Sequence, residues 1–121
     1  MNRATAVLPL VLAAAPAAEA WTLCEQPGIQ APVALHREAP AYPPAVREIG
    51  VEGSVEVALT VLRDGSVGWV RALRGEPQGY FEQAAVAGVR GWRYRPATAD
   101  GVAIECRLTT RVRFALVENT H

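Results

Sequence analysis

The chain has 121 residues, half of them apolar and 20% charged, with 12 arginines, no lysine and 12 acidic residues. This length accommodates one domain, and the composition is that of a folded globular chain. Zero net charge argues against a strongly basic nucleic-acid surface, and no apolar run reaches the roughly 18 residues that a membrane-spanning helix needs.

Residues 1–20 differ in composition from the rest of the chain. Arg3 supplies a short positive start, residues 4–15 are small and aliphatic, and Ala18-Glu19-Ala20 offers an A-x-A cleavage site before Trp21. That is the layout of a secretory signal peptide. The alternative is an uncleaved inner-membrane anchor; Pro9, Pro16 and the short apolar stretch count against it. Lipidation of Cys24 is set aside, because Trp21, Thr22 and Leu23 are not the small residues a lipobox requires. The expectation is export, cleavage near Ala20 and a mature chain of residues 21–121. In an oxidising compartment two cysteines allow a single disulfide, Cys24 to Cys106. A zinc site would instead need Cys24, Cys106, His36 and His121 to converge without any closely spaced ligand pair, which structural zinc sites normally show.

Residues 21–41 are punctuated by Pro27, Pro32 and Pro40 and read as an extended arm with a short edge strand at Val33–His36. Tyr42-Pro43-Pro44 ends that arm and starts a short helix, with Pro44 near the first helical position and Gly50 as the left-handed cap. Gly53–Val61 alternates: Val55, Val57, Leu59 and Val61 on one face, Ser54, Glu56, Ala58 and Thr60 on the other. Arg63-Asp64-Gly65-Ser66 makes a hairpin turn, and residues 67–73 return as a second strand. There either Val70 and Ala72 or Trp69 and Leu73 point inward. A loop at residues 75–79 precedes a helix over residues 80–92, with Phe81, Ala85, Gly88, Val89 and Trp92 on one face. Ala84, Ala85 and Gly88 are small enough to bring this helix close to a sheet. Residues 102–116 alternate throughout, predicting one long third strand with Cys106 on its buried face. Amphipathic elements in this order predict two layers, both helices on one face of a three-stranded antiparallel sheet.

No catalytic constellation emerges, and no phosphate-binding or metal motif. Asp64 belongs to a turn, and Glu82 suits the first turn of its helix. Arg107, Arg111 and Arg113 read as a solvated strand face guarding an edge rather than a grip on an anion. Trp92 and Tyr94 read as core rather than as a ligand platform. What remains is an open sheet edge, a place where an extended peptide adds as a further strand.

Pro40-Ala41-Tyr42-Pro43-Pro44-Ala45 followed by Gly50-Val51-Glu52-Gly53-Ser54-Val55 resembles the opening of the TonB C-terminal domain, P-x-Y-P-x-x-A and then G-x-x-G-x-V. Asp64-Gly65-Ser66-Val67 resembles its D-G-x-V hairpin. Phe81-Glu82-Gln83-Ala84-Ala85 and Trp92-Arg93-Tyr94-Arg95-Pro96 resemble its helix and its W-x-[YF]-x-P signature, and residues 112–116 its closing strand. The resemblance implies an α+β fold of the TonB/TolA C-terminal type over residues 42–121, with strand order 2-1-3 and the third strand at an edge. It implies a non-catalytic periplasmic module in TonB-linked transport. Its partner would be an outer-membrane TonB-dependent receptor, whose TonB box adds to the third strand, or another envelope protein. Carried over by position, the pairing stretch is Thr109, Thr110, Arg111, Val112, Arg113, Phe114, Ala115 and Leu116. No cofactor, metal, nucleic acid or small-molecule substrate is implied. Family transducers also carry a membrane anchor meeting the ExbB–ExbD motor and a long proline-rich spacer, whereas the arm here is about 21 residues long, roughly 70 Å at full stretch. Two alternatives accompany the leading reading: a minimal anchored transducer, and an envelope protein that dimerises through its sheet edge.

Overall fold

The computed structural model describes residues 22–116. The expected leader, the cleavage junction at Trp21 and the zinc candidate His121 lie outside the described residues. The chain runs β1 (Val33–His36), α1 (Pro44–Glu48), β2 (Gly53–Val61), β3 (Val67–Glu76), α2 (Glu82–Val89), β4 (Arg93–Arg95), β5 (Ala97–Ala99), β6 (Val102–Ile104) and β7 (Cys106–Phe114). The main sheet is three-stranded and antiparallel with β2 central, in the order β3-β2-β7. This is the 2-1-3 order that the resemblance implies.

Local chemistry sets the element ends. Pro43 caps α1, its carbonyl accepting from the Val46 and Arg47 N–H groups at 3.1 and 2.9 Å, and Gly50 turns left-handed at φ 74°. In the β2–β3 hairpin, Asp64 Oδ1 accepts from the Ser66 N–H at 2.9 Å and from its hydroxyl at 2.6 Å. Gly65 holds φ 88°, and a Cβ there would lie 2.0 Å from the Tyr94 carbonyl oxygen. Only glycine tolerates both demands. Ahead of α2, the Glu82 carboxylate accepts from the Gly79 N–H at 2.9 Å, closing the turn that leads into the helix.

Val55, Val57, Leu59 and Val61 are fully buried beneath Phe81, Ala85, Val89 and Trp92. Val46 and Tyr42 join the same cluster, so both helices cover one face. Phe81 stacks on Phe114 at 4.4 Å between ring centroids, with Tyr42 edge-on to both. The ambiguity in β3 resolves toward Val70 and Ala72; Trp69 and Leu73 face out. Ala58 and Thr60, expected on the wet face, are buried as well. Thr60 pairs with Arg107, whose guanidinium lies over the Trp69 ring at 3.9 Å on that side.

Four further expectations need correction. The alternation over residues 102–116 is not one strand. β6 pairs with β5 in a separate hairpin turned by Asp100 and Gly101 at φ 54° and 80°, exposed Glu105 breaks the run, and Val102 is 65% exposed. Side-chain alternation continues across a break that only the backbone partners reveal. β3 extends to Glu76, three residues further than expected, because β2 pairs with it as far as Ser54. α2 is confined to Glu82–Val89, between Gly79 at φ 94° and the turn at Arg90 and Gly91. Gly88 makes its close approach to the arm rather than to the sheet: a Cβ would fall 2.7 Å from Pro40.

Candidate partner-binding edge

β7 has two kinds of side chain and one open flank. Val112 and Phe114 point into the core, while Thr109, Arg111 and Arg113 point outward and are exposed. The sheet has two edges, but they differ. β3 pairs with β2 through two register shifts, whereas β7 pairs residue for residue from Gly53↔Phe114 to Val61↔Cys106. Bulges twist an edge away from further pairing, so β7 is the straight edge.

Which β7 backbone groups face outward is set by one rung. The Arg107 N–H donates to the Thr22 carbonyl at 2.8 Å, and the Arg107 carbonyl accepts from the Cys24 N–H at 2.9 Å. Arg107 therefore turns its backbone away from β2. Alternation in an antiparallel ladder then turns the N–H and C=O groups of Thr109, Arg111 and Arg113 the same way. Among the described residues none of these six groups has a backbone partner. Exposed arginine at alternate positions keeps such an edge hydrated, and Arg111 Nη1 reaches Ser54 Oγ at 3.5 Å.

Of the eight residues expected to pair, Thr109, Thr110, Arg111, Val112, Arg113 and Phe114 lie in β7. Ala115 and Leu116 have left it; the Leu116 N–H donates to a Glu52 carboxylate oxygen at 2.8 Å. At the other end a cleft of about 530 Å³ opens between the arm, Tyr94 and β7, lined by Leu23, Pro32, Ala34, Arg37, Leu108 and Thr110 among others.

The signature residues of the resemblance are mostly structural. The Tyr42 hydroxyl donates to the Val51 carbonyl, and burial with the Glu52 charge pushes this phenol's pKa up. Gly53 sits where a Cβ would lie 2.2 Å from the Glu76 carbonyl oxygen. Trp92 donates from Nε1 to the Glu38 carbonyl at 3.0 Å beneath the Arg37 guanidinium. Tyr94 is buried, which raises its pKa, and its N–H donates to the Gly65 carbonyl at 2.8 Å. Pro96 packs by the same turn.

Cys24 and Cys106 are joined, 82 residues apart in sequence, and both are buried with Ala97. The arm is also held where β1 pairs with β4, where Gln30 bridges Thr98 and where the Glu38 carbonyl accepts from Trp92. Sequence reasoning missed the seating of Thr22 and Cys24 on Arg107; the cysteine pair was its only signal. Among the described residues no group of three or more His, Cys, Asp or Glu could hold a metal ion, and no helix is long and apolar enough to cross a membrane.

Comparison with known proteins agrees with this architecture. The family model for the Gram-negative bacterial TonB protein C-terminal matches residues 38–116. Protein TonB of Klebsiella pneumoniae is 32% identical over 93 residues, which cover 72% of this chain and 38% of that protein. Protein TonB of Pseudomonas aeruginosa is 29% identical over 84 residues, 69% of this chain and 24% of the other. The chain thus spans well under half the length of these curated relatives. The solution NMR structure of the Pseudomonas aeruginosa TonB C-terminal domain superposes with a TM-score of 0.62 at 22% identity, covering 84% of this chain and all of that one. That likeness speaks for the fold, and the matched span includes every signature residue from Tyr42 to Phe114: the chain belongs to the TonB C-terminal family.

Proposed function

We propose that this protein is a periplasmic binding module of TonB-linked envelope transport, exported with removal of residues 1–20. It engages an extended segment of an outer-membrane receptor, of the TonB-box type, by strand addition along β7. It acts by binding and carries out no covalent chemistry. The observation that carries the reading is the row of outward backbone groups at Thr109, Arg111 and Arg113 on the straight edge of the sheet, without backbone partners among the described residues. Family membership supports the class of partner.

A titration of the ¹⁵N-labelled mature chain with a TonB-box peptide tests it. The expected result is amide shifts and slowed exchange at Thr109, Arg111 and Arg113. Arg111→Pro removes one outward donor without touching the β2 ladder, as proline does on edge strands, and abolishes binding while the fold persists. Unmoved amides at millimolar peptide refute the reading. Concentration-dependent protection of the same amides without peptide would replace the receptor segment by a second copy of the chain.

A further inference from the structure

The arm does more at β7 than tether the N-terminus. Its residues Thr22 and Cys24 satisfy both outward backbone groups of Arg107, at 2.8 and 2.9 Å, and Leu23 forms a parallel bridge to that residue. This segment therefore occupies the position that an added strand would take, one rung before the open stretch. It is fixed there covalently. Cys24 is bonded to Cys106, the neighbour of Arg107, with 4.9 Å between their Cα atoms, and Cys24 is 1% exposed. The chain then bends away at residues 24–26, where Gln26 Nε2 donates to the Leu23 carbonyl at 3.0 Å, and Thr109 is left uncovered. Beyond the opposite end, the Glu52 carboxylate holds the Leu116 N–H outside the ladder.

We propose that the stapled segment is a register stop for the docking strand, confining an incoming peptide to residues 109–113. This rests on the strand-docking reading above and adds what the partner must look like. Outward rungs recur every two residues, about 6.6 Å along the strand. A peptide paired at Thr109 that continued toward Arg107 would therefore meet Leu23 and Cys24. Its chain has to leave the sheet plane there, into the cleft bounded by Leu23, Ala34, Arg37, Tyr94 and Leu108. The fitting partner is a short extended segment with a turn or a chain end at the stop, not a long continuous strand. An isolated docking strand has many registers available on an open edge; the stop removes those that overlap Arg107.

The test uses the disulfide-intact mature chain, the paired variant Cys24→Ser/Cys106→Ser, and TonB-box peptides of about four to ten residues. With the intact chain, affinity rises up to about five paired residues and then changes by less than about twofold, the Arg107 amide being protected with or without peptide. In the serine pair, Arg107 exchanges freely until peptide is added, and the long peptides bind at least about fivefold tighter than to the intact chain, the worth of two more backbone hydrogen bonds. Affinity that keeps rising with length on the intact chain overturns the stop, as does an Arg107 amide that stays protected in the peptide-free serine pair. Should the serine pair not fold, the length series on the intact chain decides alone. Absence of protection at Thr109, Arg111 and Arg113 for every peptide removes the docking reading and the stop with it. Docking without a length plateau removes only the stop.

Discussion

Two buried clusters lie on the same face of the sheet, one along the length of β2 and one beside the Cys106 end of β7, and they are held by different means. One gathers Phe81, Phe114, Tyr42 and the valines of β2 under α2. The other is small: Cys24, Ala97 and Cys106, with Ile29, Ile104 and Leu108 around them. The first is large enough to be held by burial and aromatic packing. The second buries too little for that, and a covalent bond with a few short backbone pairings holds it instead. Leu108 packs against both and joins them. The family signature falls mainly in the first cluster, whereas the disulfide and the arm it staples, which lie outside the signature motifs, are in the second. The candidate edge runs between them. Its far half rests on the aromatic core through Val112 and Phe114, and its near end is set by the arm at Arg107.

The largest effect should come from opening the aromatic cluster. Phe81→Ala removes a fully buried ring stacked on Phe114, and urea denaturation should show a loss of about 4 kcal/mol, as for large-to-small core substitutions. A loss under about 1 kcal/mol would mean that the core does not depend on this stack. Removing the staple comes next. Cys24→Ser/Cys106→Ser should cost about 3 kcal/mol by the same measurement. The amides of Gln30 and Thr98, which bond each other's carbonyls across the small cluster, should exchange faster while those of β2 remain slow. Equal loosening in both regions would show that the two clusters form one cooperative unit.

Gly88→Ala probes the seam where the arm crosses α2. The new methyl meets Pro40 at 2.7 Å, so despite better helix propensity the variant should lose about 1–2 kcal/mol of stability, the cost of overpacking. A stabilised variant would show that the arm yields easily at that point. Acid should act least. Hydrogen bonds from Ser66 hold the Asp64 carboxyl below its ordinary pKa, and the Gly79 N–H does the same for Glu82. A depressed folded-state pKa adds stability above the unfolded value and loses it as pH falls through the folded one. The melting temperature should therefore slope down below about pH 4, and the slope should be shallower in Asp64→Asn. An unchanged slope assigns the acid response elsewhere.

Much of this molecule was legible in one dimension wherever structure is local. Pro44 and Gly50 bracket α1 because proline fits the first turn and glycine the left-handed cap. Asp64 and Gly65 specify the hairpin by side-chain hydrogen bonding and a positive φ angle. The bounds of β2 and its buried valines follow from period-two alternation. The candidate edge was legible only in part. Residues 109–114 fall on β7 as expected, yet Ala115 and Leu116 are outside it, and nothing in the pattern marks Arg107 as occupied.

The physical reason is the same in each case. Side-chain alternation records which face a residue presents, and it is indifferent to which strand satisfies the backbone. So the alternation over residues 102–116 concealed the break at Glu105, and the proline-punctuated arm concealed its pairing with β4 and β7. By itself the sequence determined the turns, the caps, the central strand and, through a count of two cysteines, the bond between arm and sheet. Only the tertiary structure decided where backbone hydrogen bonds remain to be made. That depends on partners distant along the chain, brought together by burial and a staple rather than by any local preference.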